Sequence, residues 1–247
     1  MSNVYENGLK LFEDGLSELG ISLTDEQIQQ FIRFYEMLVE KNKVMNLTAI
    51  TELDEVIVKH FLDSLALVKV VNKDVLTDDV SIIDIGTGAG FPGIPLKIAF
   101  PEINITLLDS LNKRINFLKE VGEELGLQGI EFIHGRSEDF GKNPQYREKY
   151  DMCVSRAVAN LATLSEFCVP FVKVGGLFIS YKAGDCGNEV AESKKAVDKM
   201  GAAIDEALEY VVPTSDLNRT LLKIKKEKAT PKAYPRKAGT PAKEPIK

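Results

Sequence analysis

The chain has 247 residues, of which 44% are apolar and 28% are charged, and its formal net charge is −6. This balance is typical of a globular enzyme and excludes a disordered or fibrous protein. No apolar run approaches the roughly 18 residues of a membrane span, and residues 1–7 lack the basic and apolar regions of a secretion signal. We therefore expect a cytoplasmic protein without a membrane partner.

The first third of the sequence has the periodicity of helices. Thr24 and Gln27 have the spacing of a capping box, and apolar residues recur at helical intervals over residues 28–39. The same periodicity predicts a second helix over residues 51–71 and a weaker one over residues 4–19. We interpret residues 1–72 as an N-terminal helical extension.

From residue 80 onward, short β-branched runs alternate with helical stretches, which is typical of βαβ units in a parallel sheet. The predicted strands span 80–85, 103–109, 130–134, 151–155 and 177–181, and the predicted helices span 92–100, 111–125, 161–172 and 189–200. Two further strands, 207–212 and 220–225, have no helix between them, which predicts an antiparallel hairpin at the sheet edge. Residues 73–226 are thus expected to form one α/β domain.

Residues 227–247 form a basic tail that contains several prolines and a glycine. From Lys226 to the end, seven Lys and Arg residues stand against two Glu, so this end carries +5 and the remaining chain about −11. We expect the tail to be extended, and ordered only if something holds it. Arg236 and Lys237 are candidate contacts to nucleic-acid phosphates.

A glycine-rich turn follows the first predicted strand. Gly86, Gly88 and Gly90 leave room for a ligand against the backbone, but the spacing also matches a dinucleotide fingerprint. Asp84 would repel a pyrophosphate and attract an ammonium or sulfonium, and Pro92 removes an N–H that would help to bind phosphate. These two residues favour S-adenosylmethionine over a dinucleotide.

Further candidates lie at the carboxyl ends of the next strands, where doubly wound sheets bind their ligands. Asp109 is placed to accept both hydroxyls of a ribose, and the alternative is an N-cap for the helix that begins at Leu111, for which Ser110 is better placed. Ser110 is also included in the predicted cofactor site. Ser137 and Glu138 are candidates for the adenine edge, with a helix cap as the alternative. Arg156 follows the fourth strand and is either a cofactor-pocket residue or half of a buried ion pair.

Four polar residues outside the glycine turn are candidates for contacts to RNA. His60 and Asp63 are about one helical turn apart and would both face the mouth of the site, unless His60 only packs between helices. Lys182 at the end of the fifth strand and Arg219 are further candidates for phosphate contacts.

Taken together, these motifs closely resemble the bacterial ribosomal RNA small subunit methyltransferase G family, also called glucose-inhibited division protein B. The resemblance covers almost the whole chain, and its motifs span residues 46–50, 60–65, 83–95, 108–114, 155–157 and 234–241. Only Tyr181-Lys182-Ala183 differs slightly from the Lys-Gly expected there. The resemblance implies a Rossmann-like, seven-stranded class I methyltransferase sheet and implies that Gly86, Phe91, Ser137, Glu138 and Arg156 are cofactor-pocket residues.

The resemblance also implies methyl transfer from S-adenosylmethionine to N7 of guanine 527 in the 530 loop of 16S ribosomal RNA. Guanine N7 has a free lone pair, so the reaction needs no general base, and Arg156 is the candidate for positioning near the methyl group. Cys153, Cys168 and Cys186 are far apart and odd in number, so we expect buried thiols and no metal site. We expect a monomer that acts on naked RNA or on a small-subunit particle. The alternatives are a dinucleotide-dependent oxidoreductase and a non-catalytic RNA-binding module.

Overall fold

The computed structural model of the chain describes residues 3–77, 79–156 and 159–247. Its helices are α1 (Asn3–Leu19), α2 (Asp25–Met45), α3 (Leu53–Val56), α4 (Asp63–Leu65), α5 (Gly93–Ala99), α6 (Asn112–Glu124), α7 (Ser137–Phe140), α8 (Leu161–Cys168), α9 (Gly187–Lys199) and α10 (Thr240–Lys243). Its strands are β1 (Ser81–Ile85), β2 (Asn104–Asp109), β3 (Ile130–His134), β4 (Tyr150–Arg156), β5 (Val172–Ala183), β6 (Ala202–Val211) and β7 (Asn218–Lys226).

The seven strands form one sheet in the order β3-β2-β1-β4-β5-β7-β6. Strands β1 to β5 pair in parallel, whereas β7 is antiparallel to both of its neighbours, as the two successive predicted strands indicated. The predicted fold class is confirmed. Because the chain builds outward from β1 on one side and from β4 on the other, a crevice opens at the carboxyl ends of these two strands.

The predicted capping box at the start of α2 is confirmed. The Oγ1 of Thr24 accepts a hydrogen bond from the N–H of Gln27, and the Gln27 side chain accepts one from the N–H of Thr24. The Gln27 amide also donates to the carbonyl oxygen of Ile98 at 2.7 Å. The same residue that caps α2 therefore fastens it to the end of α5.

The predicted helix over residues 51–71 is interrupted in the structure. A π-helix, Ile57–Leu62, lies between α3 and α4, and a 3₁₀ turn, Ala66–Lys69, follows. Such a widening is invisible to sequence periodicity because apolar residues still recur three and four positions apart. It places His60 within the stretch that borders the crevice.

The helical extension and the sheet share one core. Phe12, Phe31, Phe34 and Phe61 are almost fully buried and pack on each other, and the Phe34 ring lies 5.3 Å from that of Phe91 in the glycine-rich turn. Rings at such separations interact favourably beyond their buried area. The turn is thus supported from the extension side by an aromatic cluster.

The three cysteines are free and buried, as expected. No helix within residues 3–77, 79–156 and 159–247 is long and apolar enough to cross a membrane.

Candidate functional site

A cavity of about 570 Å³ occupies the crevice beyond β1 and β4. This volume lies within the range of roughly 300–1,000 Å³ that is usual for small-molecule and cofactor sites. Its lining comes from the turn after β1, the ends of the neighbouring strands, the helical extension and the C-terminal tail. The residues at the ends of β1, β2, β3 and β4 include Gly86, Thr87, Gly88, Asp109, Ser110, Arg114, Gly135, Arg136, Ser137, Glu138 and Arg156.

The predicted glycines of the turn have different functions. Gly86 and Gly88 line the cavity with φ angles of +71° and +63°, which L side chains rarely adopt. Gly90 is not part of the lining, and a Cβ on it would come within 2.6 Å of Ile94 and 2.8 Å of Leu118. The prediction of a cofactor contact is therefore corrected for Gly90, which permits close packing of α5 and α6 beneath the turn.

Asp84 was expected to attract the cofactor directly, but it lies behind the turn, fully buried and outside the cavity lining. Its Oδ2 accepts hydrogen bonds from the hydroxyl of Thr87 at 2.7 Å and from the N–H of Gly93 at 3.0 Å. Its Oδ1 has no partner among the described residues. Burial raises the pKa of Asp84 to about 7, although both hydrogen bonds act to lower it. Asp84 thus shapes the turn that contacts the cavity.

Asp109 ends β2, lines the cavity and is 2% exposed. Its carboxylate accepts hydrogen bonds from the N–H of Gly88 at 3.0 Å and from that of Leu111 at 2.8 Å, and it pairs with Arg114 at 3.2 Å. The Asp109 carboxylate therefore both accepts a hydrogen bond at the start of α6 and lines the cavity, so the ribose contact and the helix cap are compatible. Ser110 lies beside it, exposed in the lining.

Ser137 and Glu138 begin the short helix α7, and both side chains are buried and line the cavity. The Ser137 hydroxyl donates to Glu138 Oε2 at 3.3 Å. Glu138 Oε1 accepts a hydrogen bond from the backbone N–H of Gly239, which is 101 residues further along the chain. The carboxylate is thus oriented from two sides at the end of β3.

Arg156, His60 and Phe91 form a second group on the other side of the cavity. The Arg156 guanidinium lies 5.0 Å from the centre of the Phe91 ring, and the His60 ring stacks on Phe91 with centroids 4.5 Å apart. Burial, followed by the charge of Arg156, lowers the pKa of His60 to about 3. His60 is therefore neutral at physiological pH. Its Nε2 lies 3.0 Å from the Thr48 hydroxyl.

Asp63 holds Arg156 in place and does not face solvent. This 4% exposed carboxylate accepts a hydrogen bond from Arg156 at 3.0 Å and another from the Tyr210 hydroxyl at 2.9 Å. The Nε of Arg219 lies 3.7 Å from Asp63 Oδ1, the same oxygen that accepts the hydrogen bond from Tyr210. The predicted RNA contact at Asp63 is therefore corrected, because its carboxylate is buried in a charge network behind the site. Arg219 belongs to the same network, but its side chain is partly exposed and its RNA contact stays a prediction.

Two more of the predicted phosphate contacts are engaged elsewhere. Lys182 is half of an ion pair with Glu189 at 2.6 Å and also donates to the carbonyl oxygen of Ala159. Arg236 forms a bidentate pair with the fully buried Glu166. The predicted phosphate contacts at Lys182 and Arg236 stay predictions, and the structure adds that each cation is paired with a carboxylate of the protein. The Lys237 side chain is exposed, so its prediction stands.

Some cavity residues received no role from the sequence. Arg136 follows β3, and Arg114 lies in the first turn of α6 after β2. Their closeness to the carboxyl ends of these strands could have identified them as lining residues. Gly239 and Ala242 of the tail also line the cavity, and no spacing in the sequence indicates that Gly239 contacts Glu138. Ala157, part of a motif quoted above, lies outside the described residues.

The strand order, with a cavity beyond β1, is that of the Rossmann-like class I methyltransferase fold. A putative sarcosine dimethylglycine methyltransferase from Galdieria sulphuraria superposes with a TM-score of 0.53, covers 71% of this chain and 88% of its own, and is 13% identical. TrmN from Thermus thermophilus superposes with a TM-score of 0.51 over 66% of this chain and 48% of its own, at 17% identity. At such identities the likeness concerns the fold.

The sequence comparisons identify the family. A family model described as rRNA small subunit methyltransferase G matches residues 27–215. The ribosomal RNA small subunit methyltransferase G of Alkaliphilus metalliredigens (strain QYMF) is 51% identical over 237 residues, which are 96% of this chain and 98% of that protein. The protein of the same name from Lactococcus lactis subsp. lactis (strain IL1403) is 50% identical over 96% of this chain and 98% of its own. The chain belongs to the rRNA small subunit methyltransferase G family, and the predicted S-adenosylmethionine-dependent methyltransferase class is confirmed.

Proposed function

We propose that this chain transfers the methyl group of S-adenosylmethionine to N7 of guanine 527, in the 530 loop of 16S ribosomal RNA. The observation that carries the proposal is one cavity with two different sides. One side has the glycine turn, Asp109 and Glu138, and the other has the aromatic and cationic group around Arg156. The relatives are named for the small-subunit RNA, and the choice of N7 follows the family resemblance.

The residues present fit the cofactor. Gly86 and Gly88 have left-handed backbone that leaves the cavity open to close approach by a ligand. Asp109 has carboxylate oxygens for the ribose hydroxyls, and Ser137 with Glu138 has polar groups for the adenine edge. When bound, S-adenosylmethionine supplies an electrophilic methyl group on a sulfonium.

Positioning, not proton transfer, supports the reaction. His60 with its pKa of about 3 cannot donate a proton at neutral pH, and guanine N7 needs no proton removed. The Arg156 guanidinium, fixed by Asp63, can donate to guanine O6 or to the carboxylate of the cofactor. The His60 ring, which stacks on Phe91 and belongs to the cavity lining, offers an aromatic surface to an unstacked base. Holding the reacting atoms in line can account for several kcal/mol of the barrier.

We further propose that the protein acts as a cytoplasmic monomer on 16S RNA or on an assembling small subunit. The division into residues 1–72, 73–226 and 227–247 likewise remains a prediction. The extension contributes Leu47, Thr48 and His60 to the cavity, which supports a role for it in placing the target base.

The test is methyl transfer in vitro to small subunits, and to their free RNA, from a strain that lacks the gene. We expect one N7-methylguanine at position 527, mapped by chemical cleavage at the modified base. Methylation at another nucleotide would overturn the target but leave the cofactor assignment intact. Absence of transfer together with absence of S-adenosylhomocysteine binding would overturn the proposed function.

A further inference from the structure

The C-terminal segment, residues 227–247, lies against the sheet domain and does not extend into solvent. The Arg147 guanidinium donates to the carbonyl oxygens of Thr230 at 2.6 Å and Tyr234 at 2.8 Å. The Thr163 hydroxyl donates to the carbonyl oxygen of Pro241 at 3.1 Å, and Ile246 is buried near the end of the chain. The tail was expected to be ordered only if something holds it, and these contacts hold it at several points along its length.

The strongest attachment is the pair of Arg236 and Glu166, which we call the latch. Glu166 is on α8 and is fully buried. The Arg236 guanidinium reaches its two oxygens at 2.8 Å and 3.0 Å, and the Arg236 backbone N–H donates to it at 2.6 Å. Bidentate, charge-assisted hydrogen bonds of this kind restrict geometry as well as adding energy.

The latch lies three residues before the point where the segment enters the cavity. Gly239 has a φ of +85°, and its N–H donates to Glu138 Oε1 at 2.7 Å. Gly239 and Ala242 both belong to the cavity lining. The segment therefore binds Oε1 of the Glu138 carboxylate, and this hydrogen bond fixes the orientation of Oε2.

We propose that the C-terminal segment forms a wall of the cofactor site and that the latch positions it there. Arg236 is a positioning residue that acts through Gly239 on Glu138, and the segment faces the nucleoside part of the cofactor at Gly239 and Ala242. This inference rests on the proposed function, since it takes the cavity as the site of an adenosyl ligand. The surface that faces the ligand would then be formed by residues of the C-terminal segment as well as by residues at the strand ends.

Hydrogen exchange on the wild-type protein, with and without S-adenosylhomocysteine, tests the inference directly. We expect slower exchange in two separate regions, the turn at residues 86–88 and the segment at residues 238–243, by about tenfold in each. Protection of the turn without protection of the segment would overturn the inference and leave the proposed function standing. Protection of neither region at saturating ligand would count against both.

A variant pair tests the latch. Glu166→Gln with Arg236→Gln removes both charges together, so that no unpaired charge stays buried. We expect titration calorimetry to give about tenfold weaker binding of S-adenosylhomocysteine, with unchanged affinity for a 16S fragment that contains the 530 loop. The matched control is Lys232→Gln, an exposed residue of the same segment, for which neither affinity should change.

Equal cofactor affinity in the double variant and the wild type would contradict the positioning role. Weaker binding of the RNA fragment at unchanged cofactor affinity would also contradict it, because Arg236 would then act on the RNA and not on the cofactor site. If the double variant does not unfold cooperatively, the exchange experiment on the wild type alone decides.

Discussion

Asp84 shows how a single residue can be identified correctly from the sequence and still be given the wrong contact. Its position two residues before Gly86 is visible in the sequence, and its effect on the turn is visible only in the structure. The carboxylate is fully buried, and burial raises its pKa to about 7. In the folded state it is therefore a group whose ionisation is disfavoured.

The pKa of Asp84 predicts a pH-dependent stability difference between the wild type and Asp84→Asn. Between the ordinary pKa of 3.8 and about 7, the folded wild type binds more protons than the unfolded chain, so its stability falls as the pH rises. The amide variant has no such loss. We expect the variant to gain about 3 to 4 kcal/mol relative to wild type from pH 4 to pH 7.

Urea unfolding at a series of pH values measures this difference. Asp198→Asn is the control, since it removes an exposed carboxylate by the same replacement. A flat difference for Asp84→Asn would show that folding does not change the pKa of Asp84.

The proposed role of Arg156 in methyl transfer depends on the geometry of its guanidinium. Its guanidinium bonds Asp63 and the Lys59 carbonyl oxygen and lies 3.3 Å from His60 Nδ1, while its face lies over Phe91. Arg156→Lys keeps the charge, so the Asp63 carboxylate keeps a partner, but an ammonium cannot make all of these contacts. We expect the single-turnover rate of methyl transfer to fall by about 100-fold.

The control for this substitution is Arg33→Lys, at an exposed pair on α2, which should leave the rate unchanged. The melting temperature of Arg156→Lys should stay within a few degrees of the wild type. A wild-type rate for this variant would show that the Arg156 guanidinium does not position the reacting groups.

At the scale of elements, strong local signals identified most of the fold. The capping box at Thr24 and the alternation of strands and helices from residue 80 are local, and both were predicted. The π-helix at Ile57–Leu62 was missed, as were the contacts of the C-terminal segment. These depend on packing between residues far apart in the sequence, which periodicity cannot report.

The same limit applies to the candidate site. Glycines and carboxylates at strand ends could be placed near a ligand, because the carboxyl edge of a parallel sheet is a general binding position. Arg236 and Lys182 could not be assigned from charge alone. Their partners, Glu166 and Glu189, lie on other elements and became visible only in the fold.

Gln27 couples two elements, and this leads to a prediction about stability. Its side chain caps α2 and also bonds the carbonyl oxygens of Ile98 and Ala99 at the end of α5. Gln27→Ala should cost about 2 kcal/mol of unfolding free energy, since several hydrogen bonds at about 1 kcal/mol each are lost. Thr24→Ala loses only the cap and should cost about 1 kcal/mol.

Denaturant unfolding of both variants checks the order of these two costs. Gln29→Ala, an exposed position on the same helix, serves as the control and should change stability by less than about 0.5 kcal/mol. Equal costs for Thr24→Ala and Gln27→Ala would mean that the link between α2 and α5 contributes nothing.

At the scale of the whole molecule, the net charge of −6 requires the cations that meet RNA to be concentrated locally. Two of the candidate RNA contacts are already ion-paired within the protein, Arg236 with Glu166 and Lys182 with Glu189. Among the described residues, exposed cations at the cavity include Arg136 in its lining and Lys237 two residues before Gly239. We expect phosphate contacts at these two positions.

Arg136→Gln and Lys237→Gln should each reduce the slope of log affinity against log salt by about 0.7 to 0.9, because each removes one phosphate contact and its counterion release. Filter binding of a 530-loop fragment between 50 and 200 mM salt, roughly the range over which such effects are large, measures the slopes. Lys199→Gln is the control, since Lys199 ends α9 at the opposite edge of the sheet. A slope lowered equally by all three substitutions would indicate diffuse attraction, whereas unchanged slopes for Arg136 and Lys237 would place the RNA on another face of the molecule.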